Sequence, residues 1–184
     1  MSRAIDPVPS ERDVVPARVR RAYELARVRH ALLHAVPALL FFAVLLVEGA
    51  SPLRLSVGLA LYVTAALALW LGQSAGAAVL PALVFGVIPF GVVRLAESAG
   101  HVCLGGACVS WCLPACVLGG ALGGALVGLR GARAPDRTSF TLSAATLVFL
   151  SGALGCDCAG SAGMLGIALG VLAGSSVPLV LARR

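Results

Sequence analysis

Every cysteine of this chain falls in one of two short stretches. HVCLGGACVSWCLPACVLGG, residues 101–120, carries Cys103, Cys108, Cys112 and Cys116, and GCDCAG, residues 155–160, carries Cys156 and Cys158. Clustered thiolates are soft ligands for zinc, cadmium or copper(I), and low-pKa thiols react with oxidants. His101, Glu97 and Asp157 lie close enough in sequence to act as auxiliary ligands. In an oxidising compartment the same thiols instead close into disulfides that clamp loops. Cys108, Cys112 and Cys116 are spaced by four, so a helix covering them stacks the three sulfurs on one face. Pro114 suits a first helical turn, which starts that helix near Cys112. Cys156 and Cys158 flank Asp157, and residues at i and i+2 seldom bridge each other. Pairing therefore joins the two stretches, or joins Cys103 or Cys108 to a neighbour in the first; the spacing leaves the connectivity open. A disulfide-exchange enzyme normally shows a C-x-x-C pair, and none is present.

The elements that position these thiols belong to a membrane. The 184 residues are 59% hydrophobic and 12% charged, too apolar for a soluble domain of this length to bury. Six apolar runs, near 31–47, 54–72, 77–95, 112–129, 140–155 and 162–182, are each about as long as a bilayer core requires. Helices satisfy their own backbone in hydrocarbon segment by segment, so the expected fold is all-α, a polytopic six-transmembrane-helix bundle. Two regions follow: a basic N-terminal tail with a helix, 1–30, and a membrane domain, 31–184. Pro37, Pro81 and Pro89 fall inside spans and are candidates for kinks in the first and third. No cleavable signal peptide is evident.

Arginine placement sets the expected orientation. All fourteen basic residues are Arg. With the N-terminus inside, twelve lie on the inner side (Arg3, Arg12, Arg18, Arg20, Arg21, Arg27, Arg29, Arg130, Arg133, Arg137, Arg183 and Arg184) and two, Arg54 and Arg94, outside. The positive-inside bias then puts both termini in the cytoplasm and all six cysteines at the outer face. The net charge of +6 is thus a topology signal, and no direct nucleic-acid binding is expected.

In the tail, Asp13 and Pro16 suit a helix start, and Val19, Tyr23, Ala26 and His30 make one stripe. Such a helix rests on anionic headgroups, or docks a cytoplasmic protein through Arg18, Arg20, Arg21, Tyr23 and Arg27. Within the spans, Gly120, Gly124 and Gly128 recur at four-residue spacing, as do Gly166, Gly170 and Gly174. Glycines at that interval let two backbones approach closely, here the fourth and sixth helices of one chain or, in the alternative, two copies in a homodimer. No acid lies mid-span, which disfavours an ion-coupled carrier. No HExxH, P-loop or GxSxG is present, so no enzyme is expected and no cofactor is required; a soft metal ion, zinc, cadmium or copper, is the one candidate ligand at the cysteines.

The order of these features resembles the NrsF family, membrane negative regulators of extracytoplasmic-function sigma factors. The segment from WCLPACVLGG through RGARAPDRTS to GCDCAG and the glycine-rich last span repeats the family's order of cysteine, helix, basic Pro-containing loop, small-residue helix, cysteine and final helix. DPVPSERDVVPARVRRAYELA is weakly similar to the family's tail. The resemblance implies an anti-sigma factor in a bacterial inner membrane. Its tail would hold a sigma factor and release it when two outer cysteines meet heavy metal or oxidant. Cys112 or Cys108 would match the first of these, Cys156 or Cys158 the second. The chain departs from the family in its extra cysteines and in lacking aromatic, proline-bearing surroundings at the second. From other classes, a thiol-rich metal-handling or transport protein and a structural membrane subunit with disulfide-clamped loops fit the same composition.

Overall fold

The computed structural model describes residues 17–47, 51–99, 101–104, 107–156 and 160–181. It is helical throughout except for one short hairpin. The order is α1 (Ala17–His34), α2 (Ala38–Val47), α3 (Pro52–Leu71), α4 (Gln73–Ala77), α5 (Val79–Ala99), β1 (His101–Leu104), β2 (Ala107–Ser110), α6 (Cys112–Gly131), α7 (Arg137–Ala153) and α8 (Gly160–Leu181). Among the described residues four helices, α3, α5, α6 and α8, are long and apolar enough to cross a membrane. Large apolar side chains on their outer faces, among them Leu59, Leu80, Leu118, Leu165 and Leu169, are exposed. An apolar surface that continuous needs lipid around it. This is a membrane protein.

The expected continuous first span is broken. Pro37 has no N–H to donate and its ring obstructs the preceding turn, so α1 stops at His34. The chain crosses the break in tight turns: Val36 N bonds Leu33 O at 3.3 Å, Ala38 N bonds Ala35 O at 2.9 Å, and α2 then restarts. The first piece, α1, runs antiparallel to α3. Arg27 Nη2 donates to Leu71 O at 3.1 Å at the end of α3, and Tyr62 Oη donates to Leu32 O at 3.3 Å half-way along it. The fifth expected span corresponds to α7, of 17 residues, which is not one of those four helices, so four of the six expected spans are long and apolar enough to cross among the described residues.

Glycines fix how the remaining helices cross. A Cβ built on Gly120 would lie 2.6 Å from Ile167 O, and one on Gly128 would lie 2.6 Å from Ser175 O; Gly124 meets the Val171 carbonyl oxygen in the same way. Reciprocally, Gly170 lies against the backbone of Val117 and Ala121, and Gly174 against that of Ala121 and Ala125. Partner numbers rise together on both helices, so α6 and α8 run parallel in backbone contact. Gly119 and Gly123 instead face Pro89 and Phe85 O of α5, which runs antiparallel to α6. Gly86 faces Ser151, and Gly152 faces Pro89, so α5 and α7 are parallel.

The bundle therefore has two chemically distinct ends. One gathers Arg27, the α3–α5 connection and the α6–α7 loop, tied by Asp136 N donating to Ser74 Oγ at 3.3 Å. Arg130, Arg133 and Arg137 belong to this end. The other holds the start of α3 with buried Arg54, the end of α5 with the Arg94–Glu97 ion pair at 2.8 Å, and the described cysteines.

Asp136 caps α7. Its carboxylate accepts from Ser139 Oγ and, at 3.1 Å, from Ser139 N. These bonds, the Ser139 hydroxyl first and its backbone N–H second, hold the Asp136 carboxyl below its ordinary range. A depressed folded-state pKa gives stability that is present above the unfolded value and lost as pH falls through the folded one. Asp136→Ala is expected to lower the melting temperature at neutral pH, and that deficit should shrink once the pH falls below about 4, near the ordinary Asp value. Thermal unfolding in detergent at both pH values checks it; an unchanged deficit would contradict the cap.

Candidate functional site

At the end remote from the arginines, α6 begins with CLPAC, and Pro114 occupies its first turn, where a missing N–H costs nothing. Cys112 and Cys116 are one turn apart on the inward face, with 6% and 0% exposure, while Leu113 and Val117 between and after them turn outward. Their counterpart is set by the end of α7. Gly152 is closed in by Pro89 and Ile167, and a Cβ on Gly155 would stand 3.3 Å from Phe90 O, so the chain there lies against both α5 and α8. Tight turns follow, with Gly155 N bonding Gly152 O at 3.0 Å and Cys156 N bonding Ala153 O at 3.2 Å. They swing Cys156 into the core at 5% exposure.

The result is a buried thiol pair. Cys116 Sγ and Cys156 Sγ are 3.2 Å apart, both free thiols, and Cys156 Sγ also donates to Gly152 O at 3.7 Å. A disulfide needs its sulfurs at about 2.05 Å, so the pair closes with a movement of about 1 Å. Gly166 of α8 packs against the Cβ of Cys116, which makes the pair a junction of α6, α8 and the end of α7. Cys112, one turn toward the bundle's end, is already disulfide-bonded.

The other expected site residues divide as follows. Cys103 and Cys108 are direct cross-strand partners in the β1–β2 hairpin, so Cys108 is not on the helix that carries Cys112 and Cys116, against the expected stack of three. The side chains of His101, Cys103 and Cys108, and all of Asp157 and Cys158, lie outside the described residues. Glu97 is paired with Arg94. Among the described residues no three His, Cys, Asp or Glu side chains come together as a metal site. The described part of the site offers a metal two sulfur ligands, Cys116 and Cys156.

In the tail helix, Arg20, Arg21 and Tyr23 are exposed, and the side chain of Arg18 lies outside the described residues. Arg27 makes a contact within the chain. It is half-buried and its guanidinium reaches the last carbonyl of α3, beside Gly72, which holds a left-handed φ of 70°. The expected stripe of Val19, Tyr23, Ala26 and His30 faces outward; the face that packs is Ala31, Ala35, Ala38 and Phe41, because the contact with α3 begins only at Arg27. An apolar groove of about 340 Å³, lined by Val28, Leu32, Tyr62 and Trp70 among others, separates α1 from α3 along this contact. Arg27→Ala is expected to free the start of α1: about 1 kcal/mol is lost with the hydrogen bond, and amide exchange over 17–30 accelerates about fivefold while α6 and α8 are unchanged. Equal protection in both proteins would contradict that anchor.

Comparison with protein-family models, with curated proteins and with solved structures finds no match for this chain.

Proposed function

We propose that this protein is a non-enzymatic membrane regulator in which the Cys116–Cys156 pair senses oxidant or soft metal and the N-terminal segment holds a cytoplasmic partner. The observation that carries the reading is the 3.2 Å approach of two free, buried thiols at a junction of three elements. In the oxidative step each thiol loses a proton and an electron and an S–S bond forms. A peroxide taking up both protons and both electrons leaves as two waters. With cadmium, two protons are displaced and the thiolates hold the ion.

The six-span arrangement belongs to the same reading. The latter part of α1 together with α2 crosses once with a break at Pro37, α7 crosses once, and the four long helices complete an even number. The N-terminus and the arginine-rich end then lie in the cytoplasm by the positive-inside rule, with the thiols at the outer end. The exposed Arg20, Arg21 and Tyr23 of α1 form the docking face for the partner. Resemblance to the NrsF order of features names that partner class as a sigma factor. Affinity purification of the tagged full-length protein from its native membrane, without oxidant, tests this: a sigma factor copurifies, and its absence in both the presence and absence of peroxide contradicts the reading. A structural subunit with clamped outer loops is the second reading, favoured by the bridged Cys112.

A further inference from the structure

The groove between α1 and α3 has an apolar wall and a basic mouth. We propose that it holds one acyl chain of an anionic phospholipid, whose headgroup lies against the arginines of α1.

The wall selects the chain. Val28 and Leu32 of α1 and Tyr62, Val63, Ala66 and Trp70 of α3 border a volume of about 340 Å³. Of their two polar groups, the Tyr62 hydroxyl is committed to Leu32 O at 3.3 Å, and the Trp70 indole N–H stands at the opposite end. Val28, Leu32, Val63 and Trp70 are exposed along the two rims, and apolar side chains in facing rows need an apolar cover. The groove follows the antiparallel axes of α1 and α3. Between Tyr62 and Trp70 the helical rise gives it a length of about 12 Å. The hydrocarbon of one leaflet is about 15 Å deep, so an acyl chain has both the length and the direction to fill it.

The mouth selects the charge. Arg27 Nη2 donates to Leu71 O at 3.1 Å, next to Trp70, which puts guanidinium and indole at one level, as at a membrane–water interface. Beyond that level α1 continues past the end of α3, back to Ala17. Arg21 lies two turns before Val28 on the same face and about 9 Å beyond Arg27 along the axis, at the depth of headgroups. Arg29 adjoins Val28, and both Arg21 and Arg29 are exposed. In all, α1 carries Arg18, Arg20, Arg21, Arg27 and Arg29 against the single acid Glu24. Each arginine near an anionic lipid surface favours association by roughly fivefold. The bound lipid fills the gap that α1 and α3 leave between the Arg27 and Tyr62 hydrogen bonds.

Trp70 reports on its own groove. Trp111 is the only other tryptophan, so the full-length Trp111→Phe protein in phosphatidylcholine liposomes has one indole fluorophore. Phosphatidylglycerol or phosphatidylcholine with brominated acyl chains is titrated in at matched mole fractions. Half-maximal quenching should need about fivefold less of the brominated phosphatidylglycerol, or less still. Arg21→Gln/Arg29→Gln should bring the ratio of the two lipids toward one. Ala66→Leu, which fills the groove with a side chain, should do the same with every arginine in place. Equal quenching by both lipids in the parent overturns the proposal, as does no quenching by either, which would mean that protein covers the groove. A preference that survives Ala66→Leu overturns it too, because anionic lipid then only gathers round α1. So does a preference unchanged in Arg21→Gln/Arg29→Gln. None of these outcomes depends on Cys116, Cys156 or a cytoplasmic partner.

Discussion

A Cys116→Ser/Cys156→Ser protein is expected to hold its cytoplasmic partner equally with and without peroxide, while the wild type releases it. The two sulfurs already touch, and both are buried against α8 and the end of α7. A bond between them therefore draws α6 and the chain at Cys156, just past the end of α7, together by about 1 Å. Interiors packed to crystal density pass such strain on to their neighbours. Typical coupling between two sites is about 1–3 kcal/mol, so partner affinity in the wild type should change by about 5–150-fold between redox states. The double variant should show a ratio of about one. Either single replacement should have the same effect, because the bridge needs both sulfurs. Cys→Ala versions keep the test sound should buried hydroxyls destabilise the fold. A Cys112→Ser protein, by contrast, should still respond.

The second large effect lies in the α6–α8 contact. Gly124→Ala places a methyl where the Val171 carbonyl oxygen stands, 2.8 Å from Val171 Cα, and the obstruction is backbone that no rotamer change removes. Overpacking of this kind costs about 1–3 kcal/mol, and Gly124→Leu should prevent the two helices from docking at all. Gly91→Ala is the matched control: a Cβ there meets nothing within 4 Å, and alanine in a helix interior is favoured over glycine by about 1 kcal/mol. Unfolding in detergent, followed by circular dichroism, should separate the two variants in opposite directions. A Gly124→Ala protein as stable as wild type would mean that α6 and α8 are not in backbone contact.

The intervals Gly120, Gly124, Gly128 and Gly166, Gly170, Gly174 made the α6–α8 contact legible in the sequence, because a four-residue repeat of missing side chains has one physical use in a lipid-facing helix. The separation of cysteines from most arginines was legible too, since both are set by where spans begin and end. Three features were not. The break at Pro37 was visible only as a candidate kink, since hydropathy runs through it. The 101–110 hairpin has strands of four residues, too short for alternation to show, although two apolar runs around Gly-Gly are a hairpin signal. The pairing of Cys116 with Cys156 depends on how Gly152 and Gly155 let α7 end against α5 and α8, a matter of close approach that no spacing along the chain encodes. Arg27 likewise read as one more surface arginine, since its partner is a backbone carbonyl 44 residues away.

The central claim is that the state of one thiol pair at one end of the bundle sets the affinity of the helix at the other. The direct measurement reconstitutes the full-length protein in liposomes and titrates the copurified partner onto it. One sample is reduced, and one is oxidised by peroxide with the Cys116–Cys156 bridge verified by mass. The account predicts at least about a fivefold weaker binding in the oxidised protein, lost in Cys116→Ser/Cys156→Ser. Equal affinity in the two verified states would contradict it.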